Sequence, residues 1–232
     1  MFLADLTWEE VRDYIRNKDG LIIPIGICEQ HSKHLPLNTD TLVAEYICDY
    51  LSDKTGILIA PTINYGIGLP CDKHYPGSTS ISYEDLRNVL SVLISWWKLQ
   101  GFQKFFAVSA HGDPFHLKAL RNTGHNRVYV LELYDINLEG ILEKQTTAKH
   151  ACEAETSVML YLFPDKVRKE KIEDFEMPFE EFKIYLNHLR DDAIPNSPGC
   201  LGYPSYATAK KGKRIIQKMK ENALTWIRTV NQ

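Results

Sequence analysis

The stretch GICEQHSKHLPLNTDT, residues 26–41, places carboxylates and imidazoles close together, directly after the apolar run at 21–25. Its candidates for chemistry are Glu29, His31, His34 and Asp40. In an extended segment, residues two apart point to the same side, so Glu29 and His31 can face one site. Carboxylate and imidazole ligands without cysteine suit zinc, manganese or iron in a hydrolytic centre. The polar side chains of this stretch therefore either point into water or converge on a metal ion, and the rest of the chain decides between the two.

Other polar residues also follow predicted strands. They are His74, in a long loop after the second strand, His111 and Asp113, directly after the third, and Tyr134, after the fourth. The start of a later helix adds His150, Glu153 and Glu155. Taken alone, each has an ordinary explanation as a solvated side chain, and Asp40 could simply cap a helix. Because ligands of open α/β sheets bind at the carboxyl ends of the strands, the combination favours one shared site.

The elements that must position these residues alternate between strand and helix, without hairpin signals. Apolar runs predict strands at 21–26, 57–60, 105–108 and 128–133. Helical spacing and capping residues predict helices at 7–17, 40–54, 82–100, after Pro114, at 151–162 and at 207–229, whereas 61–79 and 165–206 are predicted to be irregular. This alternation indicates an α/β fold with a mostly parallel sheet covered on both faces. The length suits a single domain over residues 1–232.

Composition excludes several classes of partner. A net charge of −3 without a block of like charges gives no support for nucleic-acid binding. No apolar run approaches the roughly 20 residues of a membrane span, and the N-terminal residues do not resemble a signal peptide. The five cysteines are scattered and include no CxxC pair, so we interpret them as reduced thiols of a cytoplasmic protein.

In order and spacing, several segments resemble the creatininase (creatinine amidohydrolase) family. They are GICEQHSKHLPLNTDT, HYPGSTS, AHGDP, HACEAETSVML and GYPSYATAKKGK, and the resemblance runs from residue 5 to 217. It implies a three-layer α/β/α fold, a homo-oligomer, often a hexamer, and metal-dependent hydrolysis of a small-molecule cyclic amide or formamide. The alternative is a metal-holding binding or scaffold protein of the same fold that has lost turnover.

The resemblance also implies roles for individual residues. It assigns metal ligation to Glu29, His31, Asp40 and His111, with the carboxylate of Asp40 bridging two divalent ions. His150 matches a histidine that moves a proton, and Glu155 matches a carboxylate of the inner framework. Substrate contacts are expected from Tyr134, from the backbone of Gly77 and Ser78, and from His74.

Two residues compete for the sixth ligand position. Creatininase has a glutamate two places after its ligand histidine, where this chain has Asp113, whereas many other members use the glutamate that is kept here as Glu153. Aspartate reaches about 1.5 Å less far than glutamate, and metal–oxygen bonds of about 2.0–2.2 Å tolerate little slack. We therefore predict that Glu153 is the ligand and that Asp113 orients a ligand or bound water.

Overall fold

The centre of the fold is a four-stranded sheet in which every neighbouring pair of strands is parallel. The computed structural model describes residues 1–231. The strands are β1 (Gly20–Ile25), β2 (Leu58–Ile59), β3 (Lys104–Ser109) and β4 (Val128–Glu132), in the order β2-β1-β3-β4. The register pairs Ile25 with Ser109 and Ser109 with Glu132, so the carboxyl ends of β1, β3 and β4 lie side by side.

Helices cover both faces of this sheet. They are α1 (Trp8–Ile15), α2 (Thr39–Thr55), α3 (Tyr83–Gln100), α4 (Pro114–Arg121), α5 (Glu153–Leu162), α6 (Phe179–Leu186) and α7 (Ala209–Val230). Alternate strand residues point to opposite faces, so Ile22 and Phe106 pack with α2, α5 and α7, whereas Ile23 and Phe105 pack with α1, α3 and α4. The predicted three-layer α/β/α fold is confirmed.

The structure differs from the sequence-based prediction in the segment 165–206, which contains α6. This helix has only eight residues and follows Pro178, and two of its apolar side chains, Phe179 and Ile184, are exposed. A short helix without one clear buried stripe gives little periodic signal, because helical patterns need a window of about 11–18 residues. Among the described residues, no helix combines the length and the apolar character that crossing a bilayer requires.

Two helix starts also decide how the polar residues are placed. Helix α2 begins at Thr39 after Asn38, so Asp40 lies in the first helical turn and is not the N-cap. Helix α5 begins at Glu153, with Cys152 as its N-cap, so His150 lies in the preceding loop. Neither side chain is therefore occupied by helix capping.

Candidate metal centre

A cluster of carboxylates and imidazoles lies at the carboxyl ends of β1 and β3. Its members are Glu29, His31, Asp40, His111, His150 and Glu155, all buried except the half-buried His150. They form three triads, Glu29–Asp40–His111, His31–Asp40–Glu155 and Glu29–His31–His150, and within each triad the candidate ligand atoms lie within 4.8 Å of one another. The structure thus brings together six residues that the sequence singled out, and the two triads that share Asp40 contain five of them.

The chain after β1 is folded so that this convergence is possible. It leaves the sheet and returns, and the backbone N–H of Glu29 donates to the carbonyl of Leu37 at 3.0 Å. Gly26 allows the first turn of α2 to pack on the end of the strand. A Cβ at this position would lie 2.3 Å from Oγ1 and 2.7 Å from Cα of Thr41. This close approach sets Asp40 beside the residues that follow β1.

Backbone carbonyls orient the two central imidazoles. Nδ1 of His31 lies 3.1 Å from the carbonyl oxygen of Glu29, and Nε2 of His111 lies 2.8 Å from that of Ile67. A carbonyl oxygen can only accept, so these two ring nitrogens carry protons. The other ring nitrogens are thereby directed at the carboxylates, as in metal sites where a second hydrogen bond fixes the ligand ring.

The inward ring nitrogens face carboxylate oxygens on both sides of Asp40. Nε2 of His31 lies 3.3 Å from Oδ1 of Asp40 and 3.9 Å from Oε2 of Glu155. Nδ1 of His111 lies 3.2 Å from Oδ2 of Asp40 and 3.3 Å from Oε2 of Glu29. The lone pair of a neutral imidazole repels an anionic oxygen, so each gap requires a positive charge. Asp40 thus faces one imidazole nitrogen with each of its two carboxylate oxygens.

The pKa values of the cluster also indicate that positive charge is needed between the carboxylates and the imidazoles. Burial alone would raise the pKa of Glu29, but the imidazoles of His111 and His150 lower it to about 2. Burial alone would lower the pKa of His31, but Asp40 raises it to about 10, and the carboxylate of Glu29 similarly holds the pKa of His111 well above its usual value. The carboxylates thus stabilise cationic charge at the positions of the inward ring nitrogens.

Three atoms of the cluster are buried without a hydrogen-bond partner among residues 1–231. They are Oε2 of Glu29, Nε2 of His31 and Oδ2 of Asp40. Buried polar atoms normally find a partner, so a set of three that converge on one region indicates an additional group. Imidazole nitrogens and carboxylate oxygens in this arrangement fit divalent metal ions.

His150 is held differently from the other two histidines. The side chain of Gln30 accepts from the backbone N–H of Ser32 at 2.8 Å, which directs its amide N–H group at Nε2 of His150, 2.9 Å away. Nε2 of His150 is therefore an acceptor, and the proton of the neutral ring lies on Nδ1, 3.7 Å from Oε2 of Glu29. Burial lowers the pKa of His150 to about 4, so the ring is neutral at pH 7.

The structure does not bring Glu153 into the cluster, contrary to the expectation that it supplies the sixth ligand. Its side chain is fully buried, and Oε1 accepts from Nζ of Lys211 at 2.7 Å. Its oxygens also accept the backbone N–H groups of Glu143 and Lys144 at 2.9–3.2 Å. The carboxylate is thus saturated by fixed donors, and Glu155 occupies the place at the centre.

Asp113 also has a different environment from the one expected. Its Oδ1 accepts from the backbone N–H groups of Phe115 and His116, which makes it the N-cap of α4. Its Oδ2 lies 2.8 Å from Nε2 of His188, just beyond α6. Asp113 therefore connects the sheet edge to the α6 segment and belongs to none of the three triads found among the described residues.

A cavity of about 280 Å³ opens onto the cluster. Its walls beyond the cluster are mainly apolar and include Leu69, Ala110, Tyr134, Phe179, Phe182 and Leu186. The hydroxyl of Tyr134 is buried without a hydrogen-bond partner among the described residues. Apolar walls with a few convergent polar groups are typical of small-molecule sites.

The other expected substrate contacts lie outside this cavity. The hydroxyl of Ser78 accepts from the backbone N–H of Gln30 at 2.8 Å, and the carbonyl of Gly77 accepts from the thiol of Cys28. His74 is exposed, and its ring donates to the backbone carbonyl of Asp191 at 3.0 Å. Gly77 and Ser78 therefore support the segment that carries the ligands, and His74 holds the chain beyond α6.

Several residues of the site were not predicted from the sequence. Glu132 lines the cavity at the end of β4, and Phe182 and Leu186 line it from α6. Gln30 orients His150. Glu132 follows the same strand-end rule that identified the other polar residues and could have been found by it. The α6 residues carried no such signal, because their position depends on tertiary packing alone.

Three carboxylates and three imidazoles at the carboxyl edge of a parallel sheet, facing a cavity, define a metal-dependent hydrolase. The family model for creatininase, described as creatinine amidohydrolase, matches residues 4–227. The chain belongs to the creatininase family, and it is a hydrolase that acts on carbon–nitrogen bonds.

Individual relatives and solved structures agree with this membership. The creatinine amidohydrolase of Pseudomonas putida is 27% identical over 241 residues, covering 94% of this chain and 92% of that protein. The mycofactocin precursor peptide peptidase of Mycobacterium ulcerans is 30% identical, covering 90% and 84%. A crystal structure of creatinine amidohydrolase (creatininase) matches with a TM-score of 0.76 at 25% identity, covering 97% of this chain and 96% of that one.

Proposed function

We propose that this enzyme uses two divalent metal ions per chain, zinc, manganese or iron, to hydrolyse a cyclic amide or formamide of a small molecule. The observation that carries the proposal is the position of Asp40. Its two oxygens face two inward imidazole nitrogens, each within 3.3 Å, and the residue belongs to two of the three triads of candidate ligands. A carboxylate placed in this way would be suited to hold two metal ions of a hydrolytic site.

We assign the ligand residues to two ion positions. Glu29, Asp40 and His111 would hold one ion, and His31, Asp40 and Glu155 would hold the other. In this proposal Glu155 takes the place that the sequence analysis gave to Glu153. When bound, the ions lower the pKa of water enough to supply hydroxide at neutral pH, and they polarise the amide carbonyl.

The remaining residues of the site perform the proton transfer and the positioning. Cleavage of an amide requires protonation of the leaving nitrogen, and His150, which is neutral at pH 7, would first accept the proton released from the attacking water and then give it to that nitrogen. Tyr134 can donate its unpartnered hydroxyl to a substrate oxygen in the cavity. Phe182 and Leu186 would exclude bulk water from the bound amide.

The decisive experiment combines metal analysis with a substrate panel. Purified protein is loaded with zinc or manganese and assayed on formamides and cyclic amides, before and after chelation. We expect up to two ions per chain and turnover that is lost with the metal. Asp40→Asn should lose both metal and turnover. The exposed Asp49→Asn, on the same helix, changes charge equally and should retain both.

Two outcomes would contradict the proposal. Full turnover in metal-free protein would exclude the mechanism. Stoichiometric metal without hydrolysis of any panel member would favour the alternative, a binding or scaffold protein of the same fold. The complete donor set around Asp40, together with a neutral imidazole at His150 that can carry a proton, supports the enzyme.

Assembly and location follow from other features. The outer face of α3 exposes Val89, Val92, Trp96 and Leu99. An apolar stripe of this kind is typical of an interface, so we propose a homo-oligomer, as a hexamer, measurable by light scattering. A monomeric mass at micromolar concentration would contradict it. All five cysteines are free thiols, which supports a reducing, cytoplasmic location.

A further inference from the structure

Glu132 is a half-buried carboxylate in the wall of the cavity, and nothing in the proposed mechanism uses it. It is the last residue of β4 and lies opposite Ser109 in the register, so it stands at the same sheet edge as the metal centre. Neither a hydrogen bond nor a salt bridge joins its side chain to any residue between 1 and 231. A carboxylate that is partly removed from water without a partner carries a desolvation cost.

The backbone makes room for this carboxylate. A Cβ at Gly112 would lie 2.7 Å from Oε1 of Glu132, so the side chain fits against a glycine next to the ligand His111. The space that the glycine leaves open is thus filled by a charged group at the border of the cavity. That position is within reach of a substrate whose amide lies at the metal centre.

No salt bridge among the described residues balances the charge of Glu132; burial raises its pKa, although Arg121 is close enough to lower it. Two divalent ions and one hydroxide would together neutralise the carboxylates of Glu29, Asp40 and Glu155. Asp113, which also lines the cavity, already has a hydrogen-bond partner in His188. Lys149 lines the cavity as well but forms no salt bridge with Glu132 in the described part of the chain. The carboxylate of Glu132 is therefore available to a ligand.

We propose that Glu132 selects substrates that carry a cationic nitrogen group, such as an ammonium or amidinium, at the end opposite the scissile amide. The claim rests on the proposed function for the position of the amide. The aromatic side chains Phe179 and Phe182 line the same cavity and suit such a group, because a cation is attracted to aromatic faces as well as to a carboxylate. Glu132 is thus a specificity-determining residue, and the substrate class is that of cationic amides.

A binding measurement tests the charge preference without turnover. Benzamidinium and benzamide are planar and nearly equal in size, and only the first is charged. Calorimetry on the zinc-loaded and the metal-free protein should show benzamidinium binding about tenfold tighter, as expected of a charge-assisted contact. Equal binding, tighter binding of benzamide, or no binding of either probe at about 10 mM would overturn the proposal.

Variants test whether Glu132 causes the preference for benzamidinium over benzamide. Glu132→Gln should reduce the difference between the probes to about twofold, whereas Glu132→Asp, which keeps the charge, should retain part of it. Glu139→Gln provides a matched control, because this exposed glutamate undergoes the same change seven positions further along the chain and lies outside the cavity. An unchanged preference in folded Glu132→Gln would refute the assignment.

Hydrolysis assays distinguish the proposed role of Glu132 from the proposed amidohydrolase activity itself. The substrates are monoformyl derivatives of α,ω-diamines and of amino alcohols of equal length. In each, water adds its oxygen to the formyl carbon, the C–N bond breaks, and the nitrogen leaves protonated. The wild type should favour the diamine series through a lower KM, and Glu132→Gln should lose that advantage. If neither series is hydrolysed, the amidohydrolase proposal fails, and the two binding probes still decide the role of Glu132.

Discussion

Replacing Glu153 by glutamine distinguishes a structural carboxylate from a metal ligand. In the structure its two oxygens accept from Nζ of Lys211 and from the backbone N–H groups of Glu143 and Lys144. An amide offers only one oxygen, so its NH2 group would face either a backbone N–H or the ammonium of Lys211. The variant therefore loses a buried charge pair and gains a donor that faces another donor.

The loss in the free energy of unfolding depends on which partners Lys211 keeps in the variant. Removing one partner of a buried ion pair costs about 3–5 kcal/mol. Lys211 keeps the carboxylate of Glu143 and the carbonyl of Tyr206, so the lower end, about 3 kcal/mol, is expected. For a chain of this size each kcal/mol changes the Tm by about 2–4 °C, so Glu153→Gln should lower it by about 6–12 °C. Its metal content should not change.

Glu155→Gln should behave in the opposite way. Burial, opposed by His31, raises the pKa of Glu155 to about 8, so without metal this carboxyl is largely protonated at pH 7 and an amide can replace it. Thermal unfolding in chelator should show no loss of Tm, whereas metal analysis of loaded protein should show one ion fewer per chain. If instead Glu153→Gln loses metal and keeps its Tm, the assignment of these two glutamates is reversed.

Three further predictions concern histidines around the site. Gln30→Glu replaces the donor to His150 with an acceptor, and kcat should fall about 10–100-fold with KM nearly unchanged. Burial lowers the pKa of His34 to about 4, below its unfolded value, so stability present above about pH 6.5 should be lost as the pH falls towards 4. In metal-free protein, urea unfolding measures how much the free energy of unfolding falls between pH 6.5 and pH 4. This fall should be smaller in His34→Gln than in the wild type by roughly 3 kcal/mol. His188→Ala removes the partner of Asp113, so proteolytic cleavage within 165–206 should accelerate while the metal content stays constant.

The sequence predicted the parts of the site that depend on local chain direction. Glu29, His31 and His111 follow strands directly, and the strands are continuous apolar runs whose ends must meet at one edge. The parallel sheet and its two helical layers followed from the alternation of elements and are confirmed. These features are specified by residues close together in sequence.

The choice between Glu153 and Glu155 could not be made in that way. Residues two apart on a helix point about 200° apart around its axis, so only one of the two glutamates can face the centre. Which one does depends on where α5 begins, at Glu153 after its cap at Cys152, and on the position of Lys211 in a distant helix. A one-residue change in the helix start would rotate both side chains by about 100°. The pattern HACEAE does not contain that information.

The hydrogen-bond partners of each buried carboxylate distinguish metal ligands from structural residues better than its position in the sequence does. Glu153 and Asp113 each have a permanent cationic or ring N–H partner from a distant segment, Lys211 and His188. Oxygens of Glu29 and Asp40, by contrast, are buried without a hydrogen-bond partner among the described residues, although both carboxylates face imidazoles. Burying such anions is unfavourable unless a cation joins them. The stability of this sheet edge is therefore coupled to the metal, because an ion that binds only the folded chain stabilises it.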